Sequence, residues 1–154
     1  MQNDIHLRIA CKCDATAIRA LTQEAYAKWV PILGREPAPM TVNYYEAVRK
    51  HRFDLLYAGK VLAGLIETWP DEDLLLIENV AVAPAFQGRG FGKRLLALAE
   101  NVAAEAGLRG TRLYTNKKMT ANIALYQSLG YAVTYEETLP HGTKIHMQKR
   151  RVLS

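Results

Sequence analysis

Residues 78–100 read ENVAVAPAFQGRGFGKRLLALAE, with Gly88, Gly90 and Gly92 packed into five positions and a Leu/Ala-rich run directly after them. Glycine is costly unless the backbone must do something a Cβ would forbid. The segment before the glycines, residues 73–82, is apolar on both faces apart from Glu78 and Asn79, which predicts a strand in the middle of a sheet, ended by Pro84. Residues 91–106 predict a helix with Leu95, Leu98/Ala99, Val102 and Ala106 on one face and Gly107 closing it. Strand, glycine turn and helix N-terminus together gather unpaired N–H groups and roughly half a positive charge, an arrangement suited to phosphate. Arg89, Lys93 and Arg94 oppose that helix dipole unless a polyanion lies among them.

Two familiar phosphate loops do not fit. A Walker loop needs G-x-x-x-x-G-K-[ST], but Gln87 stands where its first glycine belongs and Arg94 where its Ser/Thr would bind magnesium. A dinucleotide fingerprint needs G-x-G-x-x-G, but Lys93 occupies the third glycine position, where close helix–strand packing excludes a long side chain.

Working outward, IHLRIA (5–10) alternates as a first strand, and Asp14 caps a helix to about Lys28 whose stripe is Ile18, Leu21, Ala25 and Trp29. Three prolines and a glycine make 30–40 a loop, and Thr41 caps a short helix to about Lys50. Residues 54–69 predict a hairpin around Ala58-Gly59-Lys60, and 111–116 a strand parallel to 73–82 through a right-handed crossover. A short helix follows, with Ala121, Leu125 and Leu129 inward and Gly130 after its end, and then two strands around Pro140-His141-Gly142. The order β-α-α-β-β-β-α-β-α-β-β describes a mixed α/β (α+β) sheet in one domain, 1–154.

The chain's 154 residues and 23% charged content are ordinary for a globular domain. The N-terminal residues lack a basic segment leading into an apolar one, and no apolar run approaches the ~18 residues of a membrane span, so no membrane partner and a cytoplasmic location are expected. A net charge of +5 suits a phosphorylated ligand, and no basic-aromatic tract suggests a nucleic-acid partner. Cys11 and Cys13 are too closely spaced for a usual zinc site, so no metal is expected and free thiols are the better reading, one facing the core.

The pattern Q-x-x-G-x-G, filled by Gln87, Gly90 and Gly92 directly after ENVAVAP, resembles the acetyl-CoA signature of the GNAT superfamily of N-acetyltransferases. NIALYQSLGY (122–131) resembles that family's later motif. The resemblance covers roughly 60–151 and implies the GNAT fold: a mixed, mostly antiparallel twisted sheet of about seven strands with four helices. It implies that the N–H groups of Gly88, Arg89, Gly90, Phe91, Gly92 and Lys93 hold the pyrophosphate of acetyl-CoA. The backbone from Val80 through Ala81 to Val82 would pair with the pantetheine like an added strand, assisted by Asn122. Tyr126 is implied as the acid that protonates the departing thiolate. Glu78, a carboxylate on a central strand, is the expected base, placed by alternation on the side of Val80 and Val82. The acceptor amine would meet Tyr26, Trp29, Arg35 and Met40, and from the other side His141. Its identity stays open between a small molecule and a protein N-terminus or lysine. A CoA-binding regulatory protein without turnover is the alternative of another class. Many members of the family are dimers, so a homodimer is also expected.

Overall fold

A computed structural model describes residues 4–152. Seven strands form one sheet in the order β1-β2-β3-β4-β5-β7-β6. They are β1 (Ile5–Ile9), β2 (Arg52–Ala58), β3 (Val61–Asp71), β4 (Leu74–Val82), β5 (Gly110–Asn116), β6 (Ala132–Leu139) and β7 (Gly142–Arg150). The run that is apolar on both faces becomes β4, fourth of the seven, as its pattern requires. Only β4 and β5 pair in parallel; every other pair is antiparallel.

The helices are α1 (Ala15–Tyr26), α2 (Val30–Leu33), α3 (Tyr44–Lys50), α4 (Phe91–Glu105) and α5 (Thr120–Ser128). They cover the sheet on both faces. Ile18, Leu21 and Ala25 of α1 pack with Tyr44 and Ala47 of α3 against Phe53, Leu55, Leu65 and Ala81. Phe91, Leu95, Leu96, Ala99 and Ala103 of α4 pack on the opposite face against Ile66, Leu75, Ile77 and Leu113.

Several local expectations need correction. Residues 30–40 are not all loop, because α2 forms with Pro31 in its first turn, where a helix needs no N–H donor. The cap of α3 is Asn43, not Thr41: the Asn43 Oδ1 accepts from the N–H of Tyr45 at 3.1 Å, while the Thr41 hydroxyl is spent on Ala38 O. Asn43→Ala should therefore cost about 1 kcal/mol, read as a lower midpoint in urea unfolding, and Thr41→Ala much less. On α4 the buried stripe is rotated to include Leu96 and Ala103, and Ala106 is exposed. On α5 the buried residue is Tyr126, and Ala121 is exposed. Cys11 and Cys13 are not free thiols but are bonded to each other, and both are exposed. Among the described residues, no helix is long and apolar enough to cross a membrane.

Candidate active site

The parallel pair β4–β5 is joined at only two positions, Leu75 opposite Thr111 and Leu76 opposite Arg112. Beyond them β4 continues to Val82 and β5 to Asn116, leaving the sheet open between the two. A bulge marks the divergence: Glu67 of β3 faces Asn79 and Thr68 faces Ile77, so Glu78 has no partner on β3. Bulges bend a strand and re-aim its side chains. Further along, the N–H of Ala83 donates to Ala63 O at 2.8 Å. Alternation then turns the N–H and C=O groups of Val80 and Val82 away from β3, toward the opening. Two side chains already reach those carbonyls. Gln87 Nε2 donates to Val82 O at 3.0 Å, and the Tyr26 hydroxyl donates to Val80 O at 3.2 Å.

Asn79 fixes the strand to the helices above it. Its Oδ1 accepts from the Tyr26 hydroxyl at 2.9 Å, and its Nδ2 donates to the hydroxyls of Thr22 and Tyr44 at 3.3 and 3.2 Å. A buried amide bonded in this way tolerates little movement.

Two clefts meet at the opening. One, of about 490 Å³, is lined by Val80, Ala81, Val82, Gln87, Gly88, Gly90, Phe91, Gly92, Lys93, Asn122 and Tyr126, together with Lys28 and Trp29. Gly88 and Gly90 have φ of 81° and 82°, a region open to glycine and strained for most residues. Gly90 precedes α4, whose first N–H to find a backbone acceptor nearby is that of Arg94, bonded to Gly90 O at 3.1 Å. Among the described residues, the backbone N–H groups of 88–93 make no backbone hydrogen bond, so this concave turn presents a row of unspent donors. Arg89 lies over the Phe86 ring at the edge of the loop, 5.2 Å from its centre. Lys28 reaches the loop from α1's side, 3.1 Å from Gln87 Oε1, a cation the motif itself does not announce.

The other cleft, of about 480 Å³, lies between the 33–42 segment, β4, β5 and the β6–β7 turn. Both clefts share Tyr26, Val80, Asn122 and Tyr126 as their common wall. The Tyr126 phenol is buried, its pKa pushed up to about 12 by desolvation. Among the described residues its hydroxyl has no hydrogen-bond partner. Arg35 and His141 line the second cleft, as does Tyr26, but Trp29 lines the first and Met40 neither. Met40 instead gives its carbonyl to Gln23 Nε2 at 2.6 Å.

Glu78 lines the second cleft, half-buried, and accepts from Trp69 Nε1 and from the Tyr114 hydroxyl, both at 3.1 Å. It does not share a side with Val80 and Val82 as simple alternation implied. The bulge resets the period, so those valines pack toward α4 while Glu78 reaches Trp69 and Tyr114. A second carboxylate escaped the sequence reading. Glu67 of β3 lines the same cleft at 2% exposure and meets His51 Nδ1 at 2.6 Å. Burial raises its pKa, and the His51 partner works against that rise. Only the pairing of β3 with β4 brings Glu67 beside Glu78, so no local pattern could have found it. Among the described residues the one compact group of potential metal ligands is Cys11, Cys13 and Asp14, where the sulfurs are spent on each other and Asp14 pairs with Arg8 at 2.7 Å.

The family profile described as acetyltransferase (GNAT) family matches residues 17–131. Among curated proteins, a mycothiol acetyltransferase from Renibacterium salmoninarum is 43% identical over 53 residues, 34% of this chain and 16% of that protein. The chain spans less than half the length of the curated relatives it matches. Among solved structures, PaiA N-acetyltransferase from Thermoplasma acidophilum, in complex with coenzyme A, superposes with a TM-score of 0.81 over 96% of this chain and 99% of that one, at 17% identity. The ribosomal-protein-S18-alanine N-acetyltransferase from Escherichia coli gives 0.79 over 98% and 96%, at 20% identity. Likeness at such low identity establishes the fold.

Proposed function

Because the chain belongs to the GNAT family of acetyltransferases, we propose that it transfers the acetyl group of acetyl-CoA to a primary amine of a small molecule by direct attack. The observation that carries this reading is the meeting of two clefts at Tyr126 and the open edge of β4. The donor-rich loop at 88–93, with Lys28, Arg89, Lys93 and Arg94 around it, suits a pyrophosphate. The open edge of Val80 and Val82, whose N–H groups face the opening while Tyr26 and Gln87 reach the two carbonyls, suits the amides of a pantetheine arm. Acetyl-CoA supplies an activated acyl group on sulfur.

The residues of the chain divide the proton work. An alkylamine of pKa ~10.4 is almost wholly ammonium at pH 7, so a base must take its proton before the nitrogen can attack. Glu78 takes it, held in place by Trp69 and Tyr114. The new C–N bond forms as the C–S bond breaks, Tyr126 gives its phenolic proton to the departing sulfur, and the second proton that the nitrogen sheds on becoming an amide returns to the Tyr126 phenolate, so that the one net proton released rests on Glu78. With its pKa raised by burial, Tyr126 remains protonated until that moment. The 33–42 segment and the β6–β7 turn flank the acceptor cleft on two sides, which favours a small acceptor over a protein surface.

The loop assignment is tested by charge at one position. Asp and Asn differ little in shape, and both tolerate the left-handed backbone of Gly90 better than most residues. Gly90→Asp should weaken acetyl-CoA binding about 100-fold in calorimetry, roughly 2.7 kcal/mol, and Gly90→Asn far less. Equal affinities for the two folded variants would contradict a pyrophosphate at this turn. Thiol release from acetyl-CoA over a panel of amines tests turnover. Tight cofactor binding without release for any amine would favour the non-catalytic reading.

A further inference from the structure

Resting on the acetyl-transfer reading, we propose that the acceptor is a short dipolar amine, its amino group joined through a few apolar carbons to an anionic group such as a carboxylate. The charges of the acceptor cleft carry this. Two carboxylates line it, but they are not equivalent. Glu67 is already paired with His51 at 2.6 Å. Glu78 receives only neutral donors, an indole and a phenol, so its charge is left for a ligand cation.

Cations enter the same cleft from three separate elements: Arg35 after α2, Lys118 before α5 and Lys144 on β7. None of the three has a carboxylate partner among the described residues. Lys117 also lines the cleft, but it is spent on Glu136 at 3.0 Å. One uncompensated carboxylate therefore faces three uncompensated cations. A simple alkylamine or a diamine meets net repulsion there, whereas an amine bearing an anion answers both signs, and the surplus positive field raises the local concentration of anionic ligands.

The geometry sets the length. Lys144 Nζ lies 4.4 Å from the centre of the Tyr114 ring, and the hydroxyl of that ring is 3.1 Å from Glu78 Oε1. One phenol thus separates the two charges, which lie at most roughly 10 Å apart. Ile77, Leu113 and Met119 line the same cleft, which suits a short methylene chain.

Three amines of equal carbon chain test the proposal: γ-aminobutyrate, putrescine and butylamine, each titrated into the CoA-saturated protein by calorimetry and each assayed for thiol release from acetyl-CoA. The expected result is that γ-aminobutyrate binds at least about 10-fold more tightly than either competitor. Lys144→Met should remove that preference and bring γ-aminobutyrate to the level of butylamine. Putrescine binding as tightly as γ-aminobutyrate would overturn the proposal. So would a complex that binds none of the three at roughly 10 mM. A loss spread equally over all three on Lys144→Met would make Lys144 a packing residue and overturn it too. The two levels separate cleanly: equal turnover and equal binding of the three amines would sink the dipolar acceptor and leave acetyl transfer standing. Selective binding of γ-aminobutyrate without thiol release from any amine would leave the recognition standing and sink the activity.

Discussion

Tyr126→Phe is expected to lower kcat about 100-fold while leaving the KM for acetyl-CoA nearly unchanged, the lower end of what a positioned general acid contributes. The substitution isolates the hydroxyl. The ring packs in the core, 6.0 Å from Tyr131, and a phenylalanine keeps that packing. Because the hydroxyl has no protein partner among the described residues, its removal breaks no hydrogen bond and Tm should hardly move. Equal falls in kcat and kcat/KM would mark an interaction made only in the transition state. A raised KM with normal kcat would make Tyr126 a binding residue instead. With its pKa at about 12, ionisation of Tyr126 should also produce no alkaline fall in rate through the ordinary assay range.

The second large effect is expected at Glu78. Glu78→Gln should reduce turnover at pH 7 by about 100-fold or more, and the deficit should shrink as pH rises toward the amine's own pKa of ~10.4, where free amine forms without help. Both partners of Glu78 are neutral donors, so no buried cation is stranded by the change. The loss is one hydrogen bond of roughly 1 kcal/mol, and the melting curve should stay close to that of the parent. A variant with full activity at pH 7 would leave Glu67 as the carboxylate to examine, and a pH-independent deficit would show that Glu78 orients the acceptor without taking its proton.

What the sequence made legible was local. The glycines at 88 and 90, the donors of the following helix and the doubly apolar β4 follow from spacing along the chain, whereas Asn122 and Tyr126 come from the family resemblance. What it hid depends on pairing between distant segments. The bulge opposite Glu67 and Thr68 reset the alternation at Glu78, and nothing in residues 73–82 signals it. The same pairing brings Glu67 into the cleft, while Asn79 takes its role from Thr22, Tyr26 and Tyr44 on two other elements. Helix α5 misled for a related reason. Its apolar residues suggested an inward stripe at Ala121, but the helix turns Asn122 and Tyr126 toward the clefts. Asn43 displaced Thr41 as a cap because the Thr41 hydroxyl was already committed to a carbonyl in its own turn.

Acetyl-CoA bound against the 88–93 loop is expected to give its acetyl group to an amine held in the neighbouring cleft. Incubating the protein with acetyl-CoA and a panel of primary amines, and following free thiol and product mass together, measures that transfer at both ends. The expected result is thiol release that depends on amine, matched by an equal amount of acetylated amine and reduced about 100-fold at pH 7 in Tyr126→Phe and Glu78→Gln. Thiol release independent of any amine, or no acetylated product from a protein that binds acetyl-CoA tightly, would contradict it.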